Sequence, residues 1–334
     1  MKPSQAIQVL VKAFELGQNV LIWGAPGVGK TDIAHQAAAT VKRRMEIFHP
    51  VVSDPTDFKG FPWVQDGNAE FLPFGGLRRL VEAKVPTVAF LDDLGQAAPA
   101  VQAAAMQLLL ARRINGHIIP DCVSFVAATN RREDKAGVQG ILEPVKSRFP
   151  ISFELEADLN DWCVWAYEHN LPPELIGFYR FRPDLLHKFV PTKGRQNSPS
   201  PRTAAHVGAI LNSGYPEELL FELIAGAAGE GLSVEFTAFR KIFLTLQSPD
   251  EILLTPERFV PPKEVSARYA ITAALSSRAT ENNFDRVCKV AAIYDRQGMA
   301  EFSVLLITDC VRRMAKLTNT KGYIQWCIAH KDIV

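Results

Sequence analysis

This chain of 334 residues predicts an α/β protein in which a doubly wound parallel sheet is followed by a helical half. Three observations predict it. Gly24-Ala25-Pro26-Gly27-Val28-Gly29-Lys30-Thr31 fills the pattern GxxxxGK[ST], between a short apolar run (19–23) and an Ala-rich stretch (32–40). Short β-branched or aromatic runs recur at 19–23, 45–49, 87–91, 123–128 and 149–153 without polar alternation, as suits strands covered on both faces. From about residue 157 the apolar spacing turns helical and stays so.

Taken in order, residues 4–16 form an amphipathic helix, with Ile7, Leu10, Val11 and Phe14 at helical spacing and Gly17 placed to stop it. Helices at 31–42, 76–84 and 97–113 alternate with the strands. That rhythm puts a ligand at the strands' carboxyl ends. Further helices are predicted at 158–169, 172–179 and 183–189, followed by a Pro-, Ser- and Gly-bearing loop at 190–200. Ser200 is a natural N-cap and Pro201 a natural first residue for the next helix. Beyond 213 the helical pattern continues, broken by a Pro-rich connection at 248–264. Three parts follow: an α/β nucleotide-binding core over 1–155, a helical lid over 156–212, and a helical C-terminal region over 213–334. In the last, Arg258, Phe259, Pro261 and Pro262 either strap the lid or pack plainly, and the final helices either bind a partner or pack on the lid.

Bulk numbers exclude some classes. Lys+Arg of 37 against Asp+Glu of 36 argues against wholesale electrostatic binding of nucleic acid. Five cysteines at 122, 163, 288, 310 and 327 show no C-x-x-C spacing and no His cluster, so they read as reduced thiols and not as a zinc site. The opening MKPSQAIQVL lacks the form of a secretory signal, and no apolar run is long enough to span a bilayer. A cytoplasmic location with no membrane partner is the expectation.

The phosphate loop is where the chemistry starts. Its glycines let backbone N–H groups curl round phosphates, Lys30 reaches β/γ oxygens, and Thr31 offers a hydroxyl to Mg²⁺. A nucleoside triphosphate, ATP or GTP, is the ligand this implies. Val88-Ala89-Phe90-Leu91-Asp92-Asp93 ends a buried strand in two acids, which places Asp92 beside Mg²⁺, by way of its water shell, and Asp93 one step on to orient the attacking water. Phe125 to Asn130 is a second buried strand with an amide at its tip, where Asn130 can meet the γ-phosphate or that water.

The order GAPGVGKT, FLDDLGQA, VAATN, VKSRF and SPRTAAHV resembles the AAA+ ATPases, and more narrowly their MoxR branch, over about residues 1–212. Residues 54–60, the aromatic segment 61–75 and the hairpin signal at 114–120, with its Asn115-Gly116 turn, are similar to segments of that branch. The resemblance implies a P-loop NTPase of AAA+ type with ATP and Mg²⁺, working as a ring, usually a hexamer. It implies a protein substrate, often one carrying a von Willebrand factor A domain. It also implies that Asn130 is the first sensor, Arg148 an arginine finger offered to the neighbouring subunit, and Arg202 the second sensor. One departure stands out: the family usually has Asp-Glu where this chain has Asp92-Asp93, one methylene shorter.

Three functions compete at this stage. They are a ring ATPase that remodels a protein partner, a nucleic-acid motor or loader, and an ATP-dependent binding switch with negligible turnover. A small-molecule kinase is disfavoured by the order of Asn130, Arg148 and Arg202. Arg131, Arg132 and Lys135 either contact phosphate or a neighbour, or form a solvated loop. Phe61, Trp63, Phe71 and Phe74 either line a central pore or pack across a hairpin.

Overall fold

The computed structural model describes residues 1–65, 67–134, 140–189 and 197–331. They fall into two compact units, one over 1–157 with Phe189 and one over 158–188 and 197–331. The expected divisions at 155 and 212 differ from this: residues on both sides of 212 share one core.

The first unit runs α1 (Pro3–Leu16), β1 (Val20–Trp23), α2 (Lys30–Thr40), β2 (Arg44–Phe48), α3 (Pro55–Lys59), β3 (Phe61–Gln65), β4 (Asn68–Leu72) and α4 (Gly75–Val81). It continues with β5 (Thr87–Leu91), α5 (Pro99–Ala111), β6 (Arg113–Ile114), β7 (His117–Ile118), β8 (Val123–Thr129), α6 (Glu143–Lys146) and β9 (Ile151–Glu154). Five strands make one parallel sheet in the order β2-β5-β8-β1-β9. Every residue of β5 and β8 is buried, which is why these runs show no polar alternation. Val20, Ile22, Phe90 and Val126 belong to one apolar core with residues of α1 and α2. Leu21, Leu91, Phe125 and Ala127 belong to another with residues of α3, α4 and α5. The chain is thus doubly wound, as its sequence predicts.

Two small hairpins stand outside the sheet, β3–β4 and β6–β7. Asn115 and Gly116 both take positive φ, 43° and 90°, the geometry that a two-residue turn between right-twisted strands requires. Asn115 Nδ2 donates to Lys59 O at the end of α3 at 2.7 Å, and His117 Nε2 lies 3.0 Å from Phe71 O, so β6–β7 is tied to α3 and to the other hairpin. Cross-strand aromatic packing is not what the register gives: Trp63 faces Glu70 and Phe71 faces Pro62. Phe61, Trp63, Phe71 and Phe74 are all exposed.

The second unit is helical: α7 (Leu159–Glu168), α8 (Pro173–Phe181), α9 (Pro201–Asn212), α10 (Glu217–Ala228), α11 (Glu230–Leu244), α12 (Pro249–Leu254), α13 (Val265–Arg278), α14 (Phe284–Arg296), α15 (Ala300–Arg313) and α16 (Lys321–Ala329). Gly177 lets α8 approach α13, since a Cβ there would meet Tyr269 O at 3.1 Å and Ala270 Cα at 3.2 Å. Arg180 and Asp309, both buried, pair between α8 and α15. Arg180 Nε donates to Asp309 Oδ2 at 3.2 Å and Nη1 to Asn160 Oδ1 at 2.6 Å. Burial pushes the Asp309 carboxyl up, and the Arg180 charge opposes it.

Two helix expectations fail here. Over 183–189 only a 3-10 turn forms, Pro183–Leu185. The connection at 248–264 holds a real helix, α12, since Pro249 is tolerated as a first helical residue. The first seven residues of the loop expected at 190–200 lie outside the described residues. None of the five cysteines is bonded to another, and two of them are buried. Among the described residues no helix is long and apolar enough to cross a membrane.

Candidate nucleotide-binding and hydrolysis site

Three neighbouring strands bring the chemistry to one edge. β1 leads into Gly24, β5 into Asp92 and β8 into Asn130, all at carboxyl ends of β5, β8 and β1. The phosphate loop leaves β1 through Gly24, whose N–H donates to Thr129 O at 3.3 Å. A Cβ on Gly24 would lie 2.6 Å from Leu155 O, so the loop can start this close to the next strand only at a glycine. Gly29 adopts φ 102°, which a side chain would strain, and Lys30 opens α2 directly after it. Ala25 and Val28 are buried and hold the loop down on the core, while Pro26 and Gly27 form its turn.

The polar groups form one connected chain. Lys30 Nζ donates to Gly24 O at 3.0 Å, Ala25 O at 3.1 Å and Asn130 Oδ1 at 2.6 Å. Asn130 Nδ2 donates to Asp93 Oδ1 at 3.2 Å. Thr31 Oγ1 donates to Asp92 Oδ2 at 3.1 Å, and Asp93 N–H donates to Asp92 Oδ1 at 3.1 Å. Lys30, Thr31, Asp92, Asp93 and Asn130 are therefore brought together. Thr31 and Asp92 supply the hard oxygens that suit Mg²⁺ beside phosphate, and Lys30 supplies the cation that suits the phosphate itself.

Electrostatics single out Asp92. Burial, and then the neighbouring Asp93 charge, raise its carboxyl above the usual 3.8. The Thr31 hydrogen bond, His49 and Lys30 pull the other way. His49 stands here because β2 and β5 run in register to Phe48 and Leu91, and Asp92 N–H donates to Phe48 O at 2.9 Å. Two carboxylates, one partly desolvated, are the arrangement that a divalent cation relieves.

Other predicted residues lie elsewhere. Arg148 is not at this edge. Its carbonyl accepts from Asn19 Nδ2 at 3.1 Å, just before β1 begins. Gly24 is five residues further along, about 16 Å at strand rise. Arg148 thus sits at the opposite end of the sheet from its own phosphate loop, beyond the span of its side chain. Its Nη1 donates to Ser147 Oγ at 2.6 Å, and its buried Nε has no hydrogen-bond partner among the described residues. Arg202 belongs to the helical unit, exposed in the first turn of α9. That helix starts as its sequence predicts, with the Ser200 hydroxyl accepting from Thr203 N–H. Arg131 is held within its own unit, by both oxygens of Asp134 at 2.9 Å and by Glu154 Oε1 at 3.0 Å. Lys135 lies outside the described residues.

Sequence reasoning missed Gln96. It ends the 3-10 turn Leu94–Gln96 and donates from Nε2 to Asp93 Oδ1 at 2.7 Å. Its spacing of three from Asp93 was the available signal.

A parallel sheet in this order, with a phosphate loop after β1 and polar tips on β5 and β8, defines a P-loop nucleotide-binding fold. Residues 19–149 match the family model described as an AAA domain of the dynein-related subfamily. This part of the chain is thus similar to the AAA domains of that subfamily. Comparison with curated proteins gives no match. Among solved structures, RuvB from Thermotoga maritima, a Holliday junction branch migration motor, aligns at 16% identity over 82% of this chain and 80% of its own, TM-score 0.42. A point mutant of it aligns at 17% identity over 89% and 86%, TM-score 0.43. NtrX from Brucella abortus, in complex with ADP, aligns at 13% identity over 99% and 68%, TM-score 0.37.

Proposed function

We propose that this protein is a Mg²⁺-dependent ATPase of MoxR-like type that works as a ring, usually a hexamer, and spends ATP to remodel a protein partner. The observation that carries the proposal is the pairing of a complete phosphate-and-water edge with an arginine at the wrong end of its own sheet. Lys30 binds phosphate oxygens in exchange for the carbonyl and Asn130 oxygens it now holds. Thr31 and Asp92 would hold Mg²⁺, which when bound offsets the phosphate charge. Asp93 takes the proton of the attacking water, and Asn130 ties Asp93 to Lys30. Arg148 cannot serve its own site, so its service is to the next subunit, where a guanidinium meets charge developing on the γ-phosphoryl group. Arg202 is the second sensor in this scheme. The exposed aromatics of β3–β4 are the part offered to the partner polypeptide, of which a von Willebrand factor A domain is the form the family resemblance implies.

Mixing tests the proposal. Lys30→Ala and Arg148→Ala are each inactive alone, and together regain hydrolysis, because a Lys30→Ala subunit lends its Arg148 to a neighbour with an intact phosphate loop. A mixture as inert as its parts contradicts a shared site. A near-neutral net charge does not decide against nucleic acid. Stimulation of hydrolysis by DNA or RNA, lost with added salt, would therefore favour the motor reading instead.

A further inference from the structure

The inference concerns what holds the attacking water, and it rests on the ATPase reading above. Asp93 Oδ1 is taken twice, by Gln96 Nε2 at 2.7 Å and by Asn130 Nδ2 at 3.2 Å. Oδ2 is left for a water proton. With its NH₂ group turned to Asp93, Gln96 has its Oε1 buried and without a hydrogen-bond partner among the described residues. Flipping the amide would set two oxygens against each other, so Asp93 fixes which end is orphaned. A buried acceptor left so costs about 1–3 kcal/mol. No solvent reaches that oxygen in this structure, so a water beside the carboxylate satisfies it only once the site opens to admit one.

The turn that carries Gln96 is held in place. Gly140 N–H donates to Gly95 O at 3.0 Å. A Cβ at residue 95 would lie 2.2 Å from Thr129 Oγ1, so only glycine seats the turn this close to the tip of β8. Asp93 itself takes φ 54°. That conformation, with two amides on one oxygen, sets where its short side chain stands.

We propose that Gln96 is a catalytic residue of the hydrolysis: Nε2 holds Asp93 while Oε1 accepts a hydrogen bond from the attacking water. The water oxygen bonds to the γ-phosphorus, and the bond from that phosphorus to the β–γ bridging oxygen breaks, its electron pair leaving with ADP. One water proton passes to Asp93 Oδ2, which later returns it to solvent. The other stays on the oxygen and leaves with phosphate. The two-ended grip on water and carboxylate does what the missing methylene of a glutamate would otherwise do.

The test is kcat, KM for ATP and the pH profile of wild type, Asp93→Asn, Gln96→Ala and Gln96→Glu. Gln96→Ala is expected to lower kcat on the order of 10²-fold with KM and thermal midpoint unchanged. Gln96→Glu is expected to be inactive at neutral pH, where two carboxylates face each other, and to regain activity on acidification. A protonated carboxyl offers the same donor and acceptor as the amide, a result that mere packing would not give. An inactive Asp93→Asn beside a Gln96→Ala of wild-type kcat overturns the inference alone, as does a Gln96→Glu profile unmoved from wild type. Should Gln96→Ala fail to fold, the Gln96→Glu profile decides. An Asp93→Asn as active as wild type overturns the base assignment, and an inert wild type overturns the ATPase reading, and the inference goes with either.

Discussion

The two units bury charge in opposite ways. At the sheet edge, Lys30, Asp92, Asp93 and Asn130 lie within a few residues of strand ends, and each is tied to another by one or two hydrogen bonds. In the helical unit, Arg180 and Asp309 stand 129 residues apart in sequence and meet in the dark, with Asn160 bonded to the arginine and Arg312 acting on the carboxyl. The first set can exchange its partners for a ligand's oxygens. The second is shut away from solvent inside its helices. Substitutions at the edge should therefore move turnover and spare stability, and those at the buried pair should do the reverse.

The sharpest break would come from Lys30→Ala. Hydrolysis is expected to fall by about 10³-fold, the scale of removing a transition-state cation, with unfolding changed by less than about 1 kcal/mol. Phosphate release and a denaturant titration read the two effects. Next in size, Asp309→Ala leaves Arg180 buried and unpaired and should cost about 3–5 kcal/mol, whereas Arg180→Met with Asp309→Leu should cost far less. Hydrogen exchange should place the loss in α7, α8 and α15. An Asp309→Ala protein of wild-type stability would remove the contrast between the units.

Gly95→Ala sharpens the comparison, because it changes the edge by packing alone. The added methyl meets Thr129 and should cost about 1–3 kcal/mol while lowering kcat, since Asp93 and Gln96 ride on the displaced turn. The smallest effect is in pH. The folded carboxyl of Asp92 titrates above its ordinary 3.8, so its ionised form weighs against the fold. That cost is absent below the unfolded value and complete above the folded one, so stability should fall as pH rises between them. Asp92→Asn should flatten this limb in thermal melts across acidic pH, and should abolish Mg²⁺-dependent hydrolysis.

How much was legible follows the same divide. GxxxxGK[ST] spans eight positions and fixes four, Gly24, Gly29, Lys30 and Thr31, because phosphate makes local demands, so the loop could be read directly. Asp92 and Asn130 were legible as polar ends of buried strands. His49 beside Asp92 was not, because strand register is a tertiary fact. Arg131 looked like solvent-facing charge until β9 brought Glu154 to it. Arg180 and Asp309 could be seen only as separate charges in largely apolar helices, PELIGFYRF and AEFSVLLITDCV, with no spacing to link them.

The most direct measurement is the specific rate of ATP hydrolysis as a function of protein concentration, with Lys30→Ala as the blank and particle size recorded alongside. A site completed by the neighbour's Arg148 predicts a specific rate that climbs steeply as oligomers form and levels off when assembly is complete. A rate that is constant from monomer to oligomer would contradict it, since each chain would then hold all that hydrolysis requires.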